Sequence, residues 1–259
     1  METMAMWRAA LTGLLMMIVP LSAGHARDDL HGGWDRLLQT YVTRGADGID
    51  RVDYARWRSN ADDREALETY ISTLEEIPAS SLPDAQRFAF WANLYNAVTV
   101  RLILDEAPSR SIRQIRPSLF SIGPWSMELT RNEGRALTLD NIEHDIMRQE
   151  FEAALVHYAV NCASIGCPNI GLRAWQAETL QADLEAAARA YVNHPRGVTV
   201  TDGGLVISRI YKWYEEDFGG NDEGVIAHLL RFAAPDLAAR IRANPRIRSH
   251  AYDWSLNRP

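Results

Sequence analysis

Between Trp34 and Val42 the apolar side chains fall at Trp34, Leu37, Leu38, Tyr41 and Val42, the i, i+3, i+4, i+7, i+8 spacing of one helix face. Gly45 to Gly48 then reads as a turn. Leu67, Tyr70, Ile71 and Leu74 predict a second helix, stopped near Pro78. Ser81 and Pro83 are the start signals of a third, with Ser81 placed to cap it and Pro83 in its first turn. That third segment, FAFWANLYNAVTVRLILDE, runs to about Glu106 and is apolar nearly all round. A helix of that kind belongs in the middle of a domain.

The pattern changes further along. Trp125 to Thr130 and Arg135 to Leu139 flank Asn132-Glu133-Gly134 and predict a hairpin. Thr138 or Asp140 would cap a short helix, NIEHDIMRQE. ALVHYAVN, from Ala154 to Asn161, is rich in β-branched and aromatic residues and predicts a buried strand. Helices are expected from about Glu178 to Tyr191, Glu223 to Phe232 and Pro235 to Arg242. VTVTDGGLVIS predicts a hairpin turning at Asp202-Gly203-Gly204, and IRSHAYDWSLN a last strand. The expected fold class is α+β: a helix-rich single domain with a central buried helix packed on a small, mainly antiparallel sheet.

The N-terminus adds a different kind of segment. Ala9 to Leu21 is apolar but shorter than the ~20 residues that cross a bilayer core. It has the length of a signal-peptide core, and Gly24-His25-Ala26 offers small residues for cleavage after Ala26. The expected organisation is a signal peptide at 1–26, an N-terminal helical segment at 27–80, and a domain at 81–257 forming one globular unit with that segment. The expected location is periplasmic or secreted, with no stable membrane insertion after cleavage. A net charge of −7 argues against a nucleic-acid partner. No cofactor and no metal are expected. The histidines form no HxH or HxxxH pair, the two cysteines are too few for a four-cysteine site, and no phosphate-binding loop or dinucleotide fingerprint is present.

The two cysteines, Cys162 and Cys167, follow the expected strand at once, in the loop CASIGCPNIG. A thiol just past a buried element, in a loop bearing Gly and Pro, is well placed for reaction but needs a base or positive charge to ionise. His144 and His157 are the candidate bases. Five residues on a regular strand put His157 and Cys162 on opposite faces, which favours His144. Asp140 lies four positions before His144 on a helix and shares its face. Glu143 is the other candidate to orient the imidazole. A backbone N–H of the Cys162 to Gly166 loop would stabilise an oxyanion. The bland reading of the same residues is a disulfide closing a small loop, with Gly166 supplying an unusual backbone angle.

Asn93 and Asn96, three apart on the central helix, either bind substrate beside Trp91 and Cys167 or tie buried backbone of neighbouring loops. The aromatics Trp91, Tyr95, Trp125, Tyr211, Trp213, Tyr214 and Trp254 are core, or wall of a groove.

The segments FWANLYNAVTV, SIRQI, LTLDNIEHDIMR, VNCASIGCP, ISRIYKWYEEDF and YDWSLN occur in this order. Together they resemble the DUF547 family, over roughly Pro83 to Asn257. The resemblance implies a shared fold and a shared site, and many members of that family are exported bacterial proteins. It implies no reaction, since the family is named for an unknown function. Two readings therefore stand. One is a thiol-dependent hydrolase or transferase acting on an amide, thioester or peptide bond in the cell envelope. It would use Cys162 as nucleophile, His144 as base and Asp140, Glu143 or a central-helix Asn (Asn93 or Asn96) as orienter. The other is a non-enzymatic envelope module with a structural Cys162–Cys167 disulfide that binds a small molecule or a peptide.

Overall fold

The computed structural model describes residues 30–118 and 121–259, and the expected signal peptide lies outside them. Helix α1 (Gly32–Tyr41) buries Trp34, Leu37, Leu38 and Tyr41, the face read from the spacing. A short hairpin follows, β1 (Val42–Arg44) with β2 (Asp50–Val52). Helix α2 (Tyr54–Ser59) is capped by Asp53, and α3 (Ala61–Glu75) by Asn60, whose side chain accepts from the Asp63 N–H. The end of α3 is held by Asn132, which donates to the Leu74 and Ile77 carbonyls at 3.2 and 2.9 Å.

Helix α4 (Asp84–Glu106) is the central helix, buried on every side from Phe88 to Val100. Ser81 does not cap it. That residue lies in a 3-10 turn, Ala79–Ser81, and Pro83 takes the cap position without a side-chain bond. The main neighbours of α4 are α2, α3 and a π-helical turn at Asn141–Met147, so the helix is packed among helices rather than on a sheet. Ala107, in the left-handed region at φ 46°, ends it before Pro108.

The hairpin of β3 (Thr130–Asn132) and β4 (Arg135–Leu137) is shorter than expected but turns at the same residues. The Thr138 hydroxyl accepts from the Asn141 N–H at 3.0 Å, capping the π turn as the sequence suggested. One α-turn, Arg148–Glu150, continues it. The segment expected as a strand at 154–161 is instead helix α5 (Ala153–Ala159). Six of its seven residues are buried, and a short run buried all round gives no periodicity by which to tell helix from strand.

Helix α6 (Leu180–Val192) leads to a three-stranded sheet of β5 (Val198–Thr201), β6 (Gly204–Ser208) and β7 (Ile247–Ala251). The β5–β6 pair is the expected antiparallel hairpin, whereas β7 joins β6 in parallel. Between them lie α7 (Ile210–Trp213), a 3-10 turn at Glu215–Phe218, α8 (Asp222–Phe232) and α9 (Pro235–Ala243). Residues His31–Pro259 form one compact unit. No helix among the described residues is long and apolar enough to cross a membrane.

Candidate functional site

The residues after α5 form a loop that is tied down from several directions. Asn96 on α4 donates to the Ala159 carbonyl at 2.9 Å and accepts from the Asn161 N–H at 2.8 Å. Asn161 in turn accepts from the Ala163 N–H and donates to the Pro168 carbonyl at 2.7 Å. The C-terminal tail runs alongside. Ile165 N–H bonds the Ser255 carbonyl and Gly166 N–H the Asp253 carbonyl, each at 2.8 Å. Gly166 does not supply an unusual angle. It supplies room, since a Cβ there would lie 2.8 Å from the Asp253 nitrogen. Between the two cysteines the left-handed residue is Ala163, at φ 57°. From behind, Arg196 donates to the Ile165 carbonyl at 2.9 Å and Tyr191 to the Gly166 carbonyl at 2.6 Å.

This lacing presents two thiols to a cavity of about 400 Å³. Cys162 and Cys167 are free, and the expected bridge between them is not formed. Their sulfurs instead share hydrogen-bonding groups. The Tyr252 hydroxyl lies 3.1 Å from each sulfur and donates to that of Cys167. The Cys162 N–H donates to Cys167 Sγ at 3.1 Å, and Ser164 Oγ lies 3.1 Å from Cys162 Sγ. Burial opposes ionisation of Cys167. Hydrogen bonds from the Cys162 thiol, the Tyr252 hydroxyl, the Cys162 N–H and Ser164 outweigh it and bring the Cys167 thiol down to about 7. The Cys162 thiol is pushed well up, first by its bond to Cys167, then by burial and by the charge on Cys167. The two sulfurs are thus made unequal, with the surrounding donors favouring the thiolate at Cys167 and the proton at Cys162.

The histidine on this cavity is His157, not His144. Because residues 153–159 are helical, the alternation that set His157 against Cys162 does not apply. His157 is buried and held on both ring nitrogens: Nδ1 lies 3.4 Å from Glu143 and Nε2 2.7 Å from Asp217. Tyr214 stacks on the ring at 4.1 Å. Asp217 also accepts two bonds from Arg148, at 2.5 and 2.9 Å. Burial would raise the Asp217 carboxyl, but His157 and Arg148 hold it down at about 2. Glu143, buried on the π turn, is likewise kept below its ordinary value. Burial works against this, and His157, His144 and Tyr95 override it. The Tyr95 hydroxyl donates to Glu143 at 3.1 Å.

His144 does pair with Asp140, at 3.5 Å, as the four-residue spacing implied. That contact lifts its proton affinity, against burial and with help from Glu143. Its other ring nitrogen faces Arg148 at 3.2 Å. Neither His144 nor His157 hydrogen-bonds a sulfur, so the donors that reach Cys167 come from the loop and from Tyr252 on the tail, not from an imidazole. Four of the five loop N–H groups proposed as oxyanion donors, those of Cys162, Ala163, Ile165 and Gly166, are committed to Cys167 Sγ, Asn161, Ser255 and Asp253, which leaves that of Ser164 for the role.

Of the residues singled out in the sequence, Cys162, Cys167, Asp140, Glu143 and His157 line this cavity, together with the aromatics Tyr95, Trp125, Trp213, Tyr214 and Trp254. Asn93 does not reach it. Its amide accepts from the Trp175 N–H and donates to the Trp175 carbonyl, at 3.0 and 2.9 Å. Both asparagines thus tie buried backbone. Trp91 lines a different hollow, with Arg87 and Glu133. Sequence reasoning missed Asp217, Ser164 and Tyr252. Ser164 was visible inside the cysteine motif and Tyr252 opens the segment YDWSLN, but nothing in the sequence tied Tyr252 to Cys167, 85 positions before it.

Fold and site together define a class: a helix-rich α+β domain whose cavity holds an asymmetric pair of free thiols. Residues 79–192 match the family model described as "Protein of unknown function, DUF547", and over that segment the chain resembles this family. The match takes in α4, the π turn, α5 and both cysteines. The segments at 207–218 and 252–257, which bring Tyr214, Asp217 and Tyr252, lie beyond it. No curated protein and no solved structure matches the chain.

Proposed function

We propose that the cavity is the active site of a thiol-dependent acyl hydrolase or transferase, with Cys167 as nucleophile on the carbonyl carbon of an amide, thioester or peptide bond. The observation that carries this reading is the set of donors converging on one free sulfur: the Tyr252 hydroxyl, the Cys162 N–H and the Cys162 thiol. Attack by the thiolate forms a carbon–sulfur bond and places the carbonyl electrons on oxygen. Collapse expels the amine or thiol. That leaving group takes its proton from the Cys162 thiol or the Tyr252 hydroxyl, the donors nearest the reacting sulfur. Attack on the thioester by water, or by an acceptor amine or thiol, then frees Cys167. Glu143 and His157, the latter held from behind by Asp217, form a fixed polar wall of the same cavity, which positions the substrate rather than deprotonating the thiol.

This assignment moves the nucleophile from Cys162 to Cys167 and gives Cys162 the part of proton donor. The test is alkylation by iodoacetamide as a function of pH in two variants. Cys162→Ala keeps a reactive thiol, with its inflection raised because one donor is gone. Cys167→Ala loses reactivity at neutral pH. The reverse pattern, with Cys162 alone reactive near neutrality, overturns the assignment. We also propose that the protein works outside the cytoplasm after cleavage behind Ala26, on the strength of the N-terminal apolar run. A mature chain beginning at Arg27 supports this, and one retaining Met1 refutes it.

A further inference from the structure

The walls of the thiol cavity carry a chemical bias. Charge is supplied there by Asp140 and Glu143, with His157 between Glu143 and Asp217; no lysine or arginine lines it among the described residues, and Arg113 lies over the Trp254 ring of its aromatic wall, 5.1 Å from the ring centre. Arg148 lies behind the wall and is bound to Asp217 through two hydrogen bonds. His144 also lies behind it, against Asp140. The Asp140 side chain is 45% exposed, with His144 as its ion-pair partner, which leaves its carboxylate open to a ligand.

The remaining wall is aromatic. Trp213 lies 4.9 Å from Tyr252 and 5.4 Å from Trp254, and Trp125 lies 5.6 Å from Trp254, ring centre to ring centre. Two large apolar side chains stand exposed among the described residues, Ile122 and Trp213, and both border this cavity. An exposed tryptophan and isoleucine at the rim of a cavity mark a surface that takes an apolar group. Aromatic faces beside a carboxylate attract a cation that carries apolar surface and repel an anion.

We propose that the substrate presents a cationic, partly apolar group to this cavity, a lysine-like, arginine-like or quaternary ammonium moiety next to the scissile carbonyl, and that anionic acyl groups are rejected. The inference rests on the thiol reading above, because it identifies what is delivered to Cys167.

The probes are two methanethiosulfonates of similar size, one bearing a trimethylammonium group and one a sulfonate. Each reacts by the same step: the thiolate attacks the thiosulfonate sulfur, a disulfide bond forms, and methanesulfinate leaves. Rates on the full native chain are normalised to those with a free small thiol, which removes intrinsic differences between reagents. The cationic reagent is expected to be favoured by on the order of tenfold at low salt, with the preference shrinking as salt screens the field. Asp140→Asn should remove most of that preference. Asp236→Asn, which changes net charge equally at an exposed site outside the cavity, should not. Equal normalised rates, or a faster sulfonate, overturn the charge inference while leaving the reactive thiol in place. If neither reagent modifies the native protein while both thiols react after unfolding, the thiol reading itself fails, and this inference with it.

Discussion

Replacing Tyr252 by phenylalanine removes one oxygen from the centre of the thiol cluster and leaves the ring in place. The ring packs on Trp213 at 4.9 Å and Trp254 at 4.6 Å, so the cavity wall should survive the change. What is lost is the hydroxyl that donates to Cys167 Sγ at 3.1 Å and lies 2.9 Å from Ser164 Oγ. A hydrogen bond to a charged group is worth about 1.5–3 kcal/mol. One pKa unit is about 1.4 kcal/mol, so the loss corresponds to a rise of roughly 1–2 units. The Cys167 thiol, held at about 7 in the native protein, should therefore ionise in the range of an ordinary cysteine or slightly above. The assay is the pH dependence of alkylation, with thiolate absorbance in the ultraviolet as an independent readout. At neutral pH the variant should alkylate roughly five- to fiftyfold more slowly. An inflection that stays where it was would refute the reasoning, because it would mean that the Tyr252 hydroxyl does not stabilise the charge.

Three other perturbations test the surrounding frame. Asp217→Asn removes a carboxyl whose folded pKa, about 2, lies below its unfolded value, so its stabilising contribution is present above pH ~4 and is lost as pH falls toward 2. After allowance for solvent screening the loss is on the order of 1 kcal/mol, and acid unfolding of the variant should lack that part of its pH dependence. Asn96→Ala orphans the Asn161 N–H and takes one of two donors from the Ala159 carbonyl, which keeps the Trp175 indole N–H, so unfolding free energy in urea should fall by about 1–3 kcal/mol; a change under half of that would contradict the tie. Gly166→Ala places a methyl against the Asp253 backbone and must push the tail off the loop; because Tyr252 travels with that tail, thiol reactivity at neutral pH should fall along with Tm.

Much of the frame was legible because it depends on local spacing. Trp34, Leu37, Leu38 and Tyr41 announce α1, and Asp202-Gly203-Gly204 announces the β5–β6 hairpin. The apolar length of α4 announces its burial, and its two asparagines fill the backbone-tying role that buried amides usually have. The misreading of residues 154–161 has a physical source. A short segment buried all round shows neither the 3.6 nor the 2.0 period, and its β-branched content then tips the reading toward a strand. That one error passed into the site, because it turned His157 away from Cys162 and left His144 as the preferred partner. The π turn added a second displacement, since it aims Glu143 at His157 while Asp140 and His144 keep their expected contact. The pairing of Tyr252 with sulfurs 85 and 90 positions earlier is a long-range contact with no local signature. The thiol motif could thus be found in the sequence, but the groups that give it chemistry could not.

The most direct test of the thiol account is peptide mapping of the native, unreduced protein after brief alkylation across a pH series. The account predicts an adduct on Cys167, formed with an inflection at about 7 and without prior reduction. A Cys162–Cys167 bridge that yields adducts only after reduction, or thiols inert until well above pH 8, would contradict it.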